Sequence, residues 1–231
     1  SSVAVISDGT FLVDGGSYFG QTPKSVWELQ MKPDRKNRIR LGLNCLLIQT
    51  PSANILVDTG AGHKRPGKFR DLYGLNGNKL LKGLKKLGLT ARDIDLVLLT
   101  HLHFDHVGGC TKLDRSGNAV LTFPKAQYAV QKACWDEANE PNERAKNSYY
   151  KDDFLPLQDQ GVLKLLEGDS EIAGGVSTKV TDGHSAGHQV VLVEAGSERI
   201  AYVADLIPTA YHLPLGCIGS FDQSPNETLS G

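Results

Sequence analysis

His101-Leu102-His103-Phe104-Asp105-His106 sets four side chains able to bind a metal within six residues. Imidazole nitrogens and carboxylate oxygens hold zinc at ~2.0–2.2 Å, and a catalytic zinc site keeps one position open for water. The stretch follows an apolar run, Ile94 to Leu99, that reads as a buried strand. His101 and His103 stand two apart on the extended segment leaving it, so they project to one side and can reach one ion. A turn at Phe104 aims Asp105 and His106 at a second ion. Three of the seven histidines fall in these six residues. Crowding titratable groups at the end of a buried strand is costly unless they serve a purpose. Val107-Gly108-Gly109 follows, and its glycines are expected to let the backbone turn sharply.

The other chemistry-bearing residues carry weaker signals. Cys110, four residues after His106, reads as a small buried hydrophobe rather than a ligand. His63 follows Gly60-Ala61-Gly62 in what reads as a flexible basic loop, at the surface or the mouth of a site. No G-x-S-x-G occurs, so nothing points to a serine nucleophile.

Elements that could position the cluster are legible around it. Leu43 to Ile48 and Asn54 to Asp58 are apolar runs of strand length, and Thr50-Pro51-Ser52-Ala53 between them predicts a hairpin. From Asn78 to Leu87 the period changes. Leu80, Leu81, Leu84 and Leu87 form one stripe of a helix with Lys82, Lys85 and Lys86 on its solvated face, and Gly88 is placed to end it. Gln127 to Val130 reads as a strand and Lys132 to Ala138 as a helix stopped by Pro141. Residues 142–156 read as an irregular surface excursion or lid. Val176 to Thr181, Gln189 to Glu194 and Arg199 to Ala204 are strands again. With no repeat and no linker, residues 1–231 are read as one α/β layered domain.

His-x-His-x-Asp-His followed by Gly-Gly resembles the signature of the metallo-β-lactamase superfamily. Three further segments resemble that family's motifs in the family's order: Val57-Asp58-Thr59-Gly60, Gly183-His184-Ser185-Ala186-Gly187-His188 and Ala204-Asp205-Leu206. The resemblance spans roughly residues 40–210 and implies a four-layer αββα sandwich. It implies that His101, His103 and His184 hold a first metal, that Asp105 and His106 hold a second, and that Asp205 bridges both. Asp58 and His188 resemble the family's supporting residues, which orient ligands from behind. The implied cofactor is zinc, two ions, with iron or manganese as alternatives. Water between two such ions loses a proton near neutral pH and attacks the substrate, with Asp105 as the proton acceptor.

Members of the family cleave β-lactams, lactones, thioesters, organophosphates and nucleic acids. Retention of both Asp105 and His106 favours a dinuclear hydrolase of small esters or lactones, including acyl-homoserine-lactone-like substrates. A thioester or phosphoester hydrolase of the same fold, or an inactive or truncated metal-binding module, is the alternative. Two departures bear on this. Lactonases of the fold often carry a tyrosine just after the bridging aspartate, where this chain has Ile207-Pro208, leaving Tyr211 and His212 as the nearest candidates for the substrate pocket. The family's last histidine is also absent after His212. The sequence stops at Gly231 just after Pro225-Asn226, read as a helix start with Asn226 as its cap. The expectation is therefore a chain lacking its last helix and strand, with a second metal site that is weak, partly occupied, or completed by water or a neighbouring side chain, His212 being the one C-terminal histidine available to substitute.

Composition excludes other classes. Twenty-five basic and 26 acidic residues give a formal charge of −1, so no nucleic-acid partner is expected. No apolar run reaches the ~20 residues of a membrane helix, so no membrane partner is expected either. Cys45, Cys110, Cys134 and Cys217 show no paired spacing and read as free thiols. A small-molecule substrate and, by default, a cytoplasmic location are the resulting expectations.

Overall fold

The computed structural model describes the chain from Ser1 to Gly231. Strands β1 (Ser2–Asp14) and β2 (Arg38–Gln49) form a long antiparallel pair whose register shifts between Ser7 and Gly9. Two short helices, α1 (Gly15–Phe19) and α2 (Lys24–Trp27), fill the connection. The Asp14 carboxylate caps α1 by accepting from the Ser17 amide. After the turn at Thr50–Ala53 the chain returns as β3 (Asn54–Val57), with Leu46 opposite Val57, the hairpin read from sequence.

Helices α3 (Gly67–Leu72) and α4 (Leu80–Lys86) follow, and Gly88 takes the left-handed φ of +79° just past α4. The buried stripe of α4 is narrower than its leucines imply. Leu80 and Leu84 are buried, whereas Leu81 and Leu87 keep 38% and 47% of their surface. Strand β4 (Leu96–Leu98) lies parallel to β3 and runs into the histidine cluster, where α5 (Phe104–Val107) forms. A small hairpin, β5 (Thr111–Leu113) and β6 (Ala119–Leu121), precedes β7 (Gln127–Gln131) and α6 (Lys132–Asn139).

Residues 142–150 are irregular as expected apart from a short turn at Lys146–Ser148, but the rest of the stretch is not, because α7 (Lys151–Asp159) begins there and runs through Pro156. Proline has no amide to bond the carbonyl four residues back, which is why it usually breaks a helix. Here the freed carbonyl, that of Asp152, accepts from the Thr111 hydroxyl at 2.7 Å. Strand β8 (Leu163–Leu166) completes a six-stranded sheet of order β1-β2-β3-β4-β7-β8, parallel from β3 onward.

The second sheet is antiparallel, ordered β12-β11-β10-β9, from β9 (Ser170–Ala173), β10 (Val176–Val180), β11 (Gln189–Ala195) and β12 (Glu198–Tyr202). Leu46, Ile55 and Leu98 of the first sheet meet Val176, Val191 and Val193 of the second in a buried layer. Each such side chain contributes roughly 1.5–3 kcal/mol on leaving water. The opposite face of the first sheet packs Leu47, Leu56 and Val97 against Leu84, Trp135 and Phe154 of the helices. The outward face of the second sheet is open at Leu192, 39% exposed. Helix α8 (Pro225–Ser230) ends the chain. Its cap position is Ser224, with Pro225 in the first turn where a missing amide costs nothing, and Asn226 is not the cap.

Candidate metal centre

Two sheets packed face to face bring four chain segments to one edge. Asp58 and His101 follow the C-terminal ends of the parallel neighbours β3 and β4. His184 sits in the loop between β10 and β11, and Asp205 lies just beyond β12. The backbone is forced at three of these turns: Asp58, Asp182 and Ala204 have φ of 57°, 48° and 45°, a region non-glycine residues seldom occupy. Such strain persists where the surrounding fold over-determines it, typically at functional sites.

The donors converge. One nitrogen each from His101, His103 and His184 lie within 4.8 Å of one another, and so do atoms of His101, His106 and Asp205. The Asp205 carboxylate spans the two groups, with Oδ1 at 3.2 Å from His106 Nε2 and Oδ2 at 3.4 Å from His184 Nε2. Asp105 stands outside both groups, its Oδ2 at 3.7 Å from His106 Nε2.

Of the four donor histidines, His101, His106 and His184 are oriented by their other nitrogen. Asp58 Oδ2 faces His106 Nδ1 at 2.8 Å, and its two oxygens also accept from the Thr100 amide and hydroxyl. The Thr100 hydroxyl lies 3.1 Å from His101 Nδ1, so one aspartate steadies two neighbouring imidazoles. The Tyr202 hydroxyl donates to the same Asp58 oxygen at 3.2 Å. His184 Nδ1 faces Asp222 Oδ1 at 2.9 Å, a support that sequence reading missed. His188 lies behind the cluster, its Nδ1 at 2.7 Å from the Thr181 hydroxyl and its ring 5.1 Å from that of His101.

The glycines after the cluster do different work from that expected. Gly108 has an ordinary helical φ of −57°. What it lacks is space: an added Cβ would fall 2.3 Å from the Ala61 carbonyl oxygen, and one on Gly109 2.2 Å from that of Thr59. The 59–62 segment thus packs backbone to backbone against the 108–109 turn.

Burial dominates the electrostatics. It pushes His101 and His103 well below the usual imidazole range, and His188 to about 3, helped by the neighbouring imidazoles. His106 is opposite. Burial disfavours its charge, but Asp205, Asp105 and Asp58 together raise its pKa well above normal. Burial also raises Asp105, while Asp205, pulled down by His106 and His184 against its own burial, stays ionised.

A metal ion fits this donor set. The Nε2 atom of His101, which belongs to both donor groups, is buried without a hydrogen-bond partner, and an orphaned imidazole nitrogen among other donors calls for an electrophile. A cavity of about 560 Å³ opens in front, floored by His103, Asp105, His184 and Asp205 and walled by Phe11, Tyr18, Tyr73, Phe104 and Phe221. A second opening of about 290 Å³ reaches Asp105, His106 and Asp205 from the β2 and β12 side. Tyr18 borders both, and nothing in the sequence around it marks it.

Residues 38–229 match the family model described as the Metallo-beta-lactamase superfamily. The chain belongs to that superfamily. An N-acyl homoserine lactonase from Bacillus cereus is 31% identical over 186 residues, covering 76% of this chain and 66% of the lactonase. This chain therefore spans just under two thirds of that relative. A probable metal-dependent hydrolase from Staphylococcus aureus superposes with a TM-score of 0.92 at 31% identity, over 99% of this chain and 81% of that one. An N-acyl homoserine lactone hydrolase, solved with N-hexanoyl-L-homoserine at its catalytic metal centre, superposes with a TM-score of 0.72 at 25% identity, covering 99% and 84%. The sandwich is the metallo-β-lactamase fold.

In this superfamily member His212 and Tyr211 depart from expectation, whereas Cys110 and His63 stand as read from sequence. His212 faces away from the cluster: Nε2 donates to the Tyr18 carbonyl at 2.9 Å, Nδ1 lies 2.8 Å from the Thr209 hydroxyl, and the ring stacks on Phe19. With both nitrogens committed it is a packing residue and cannot complete a metal site. Tyr211 is 41% exposed and borders neither opening of the site. Cys110 is fully buried, 3.5 Å from the Thr59 hydroxyl, and burial pushes its thiol up to about 12, so it behaves as a core residue. His63 is exposed, on a cavity behind the 108–109 turn.

Proposed function

We propose that the protein is a hydrolase that opens small esters or lactones, N-acyl homoserine lactones among them, with two zinc ions. His101, His103 and His184 would hold one, His106 and Asp105 the other, and Asp205 would stand between them. The observation that carries the reading is Asp205, whose two oxygens face histidines of different donor groups on the floor of one cavity. When bound, the two ions would supply Lewis acidity and a water acidified to near-neutral pKa.

The chain's own groups do the rest. Asp105 borders the cavity and lies beside His106, and its carboxylate accepts the proton of the attacking water at Oδ1 or Oδ2 and returns it to the leaving oxygen. Tyr18 stays a neutral phenol, held so by burial and by the nearby Asp205 and Asp105. It is a hydrogen-bond donor beside the Asp105 and Asp205 carboxylates, and its hydroxyl serves the substrate oxygen that gains charge. The aromatic walls match an acyl tail and exclude water from it.

A panel of lactones, alkyl and aryl esters, thioesters and phosphoesters, run alongside metal analysis, tests the reading. Zinc content near two with best turnover on an acyl lactone supports it. Zinc with turnover on none of the panel makes the chain a metal-binding module, and a preference for phosphoesters overturns the substrate class.

A further inference from the structure

The Gly60–Arg65 segment reads in sequence as a flexible basic loop, yet two of its cations are buried. The Lys64 side chain is 2% exposed and that of Arg65 is 9%. A buried ammonium is tolerated only when its donors find partners. Lys64 Nζ meets this condition. It donates to the carbonyls of Gly108 and Thr111, the latter at 3.1 Å, and lies 2.6 Å from Oδ1 of fully buried Asp153. Three donors face three acceptors.

The place of those acceptors matters. Gly108 closes α5, a four-residue helix too short to hold itself together. The last carbonyls of any helix lack partners within it. Here the His106 carbonyl accepts from the Thr59 amide at 2.7 Å and the Thr59 hydroxyl at 2.9 Å, while Gly108 accepts from Lys64. A cation at this end also complements the helix dipole. The turn that carries Asp105 and His106 is therefore hung from residues 59–64. Asp153 extends the connection into α7, which starts just after Tyr149, whose ring lies 4.9 Å from that of His103.

We propose that Lys64 is a positioning residue for the Asp105/His106 half of the site, acting through the Gly108 carbonyl, with Asp153 as the anchor of its buried ammonium. This rests on the metal-holding role proposed above for His106 and Asp105. Arg65 provides the control. It too pairs with Asp153, at 2.5 Å, and with Asp152, but its contacts go to α7 and not to the α5 turn.

The experiment is zinc titration against a competing chelator, with thermal melts, on the full chain and on K64M, R65M and H106A. The binding phase lost in H106A identifies the ion held by the Asp105/His106 half. Each of K64M and R65M leaves Asp153 one cation, so both are expected to fold with a lowered melting temperature. Only K64M should weaken the H106A-sensitive phase, by about tenfold or more, the usual cost of losing a group that orients a ligand. It should lower kcat more than it raises KM, with R65M near the parental kcat. Parental zinc affinities in K64M, or equal weakening in R65M, would overturn the positioning role. A parental chain that binds no zinc would bring down the proposed metal centre and this inference together, whereas two zinc phases untouched by K64M bring down this inference alone.

Discussion

Nδ1 of His184 lies 2.9 Å from Oδ1 of Asp222, with both side chains 2% exposed. The carboxylate fixes the proton on Nδ1 and turns Nε2 toward Asp205 and His103. Asp222 is itself steadied by Arg144, which donates to the carbonyls of Asp222 and Ser220. Asp222→Ala should lower zinc affinity by about 10–100-fold, the range seen when such an orienting partner is removed. Asp222→Asn, which keeps an acceptor, should recover part of that loss. Chelator competition on both variants checks this, and equal, parental affinities would count against it.

Asp105 stands beside His106 but outside both close donor groups, so its proton-transfer role should separate from ion retention. Asp105→Asn keeps the shape and removes the basic oxygen. The variant is expected to fold, to retain at least one zinc, and to lose about 10²–10⁴ in turnover on its best ester or lactone. Parental turnover in this variant would remove Asp105 from the reaction.

Much of this arrangement is legible in the residues, and the failures have physical reasons. β3, β4 and β10 to β12 announce themselves as short apolar runs between turn residues, and the metal donors as types no buried strand end tolerates without use. The opening strand β1 escaped notice although Val3, Val5 and Phe11 offered a strand signal, because Ser7, Asp8 and Gly9 interrupt it at the register shift. Helix α7 escaped because Pro156 forbids it locally, and Thr111, 41 residues away, supplies the missing donor. Tyr18, Asp222 and Lys64 escaped for the same reason. Each works through a contact 38 or more residues distant, and no local spacing encodes such a contact.

Tyr18 brings a phenol from α1 to the place where the two openings of the site meet. Its ring packs on Phe221, with centroids 4.6 Å apart, so Tyr18→Phe should preserve packing and melting temperature. Loss of a donor to a developing oxyanion costs on the order of 10²-fold in kcat. That loss, with KM little changed, is the expected result on both alkyl and aryl esters. An unchanged kcat would make Tyr18 only a wall of the cavity.

Acid should destabilise the protein once metal has been stripped by chelator. Burial holds His101, His103 and His188 neutral, the last with a pKa of about 3, whereas in the unfolded chain they charge near 6.5. Between those values the unfolded state binds more protons, so stability falls as pH drops below 6.5, by up to about 1.4 kcal/mol per pH unit for each group. His106 acts with the opposite sign. Its raised pKa contributes stability that is full below 6.5 and is lost as pH rises through the folded value. Melting temperatures should therefore decline from pH 7 to pH 5, and His188→Gln should shallow that decline. A profile as steep in His188→Gln as in the parent would show that this imidazole is not held neutral.

The two ions should bind unequally. His101, His103 and His184 bring three imidazoles within 4.8 Å, and Asp205 adds an oxygen 3.4 Å from His184. The other half adds only the imidazole of His106, with Asp205 at 3.2 Å, to the His101 that both groups share, and Asp105 stands further off at 3.7 Å. Fewer nitrogen donors and a carboxylate that must be drawn inward leave that site less well formed. His212 brings no help, because its nitrogens are held by Tyr18 and Thr209. Zinc titration of the 231-residue chain should therefore resolve one tight and one weaker phase. His101→Ala should abolish the tight phase and His106→Ala the weak one, and His212→Ala should change neither. Two equally tight ions, or a weak phase that disappears in His212→Ala, would refute this assignment of donors.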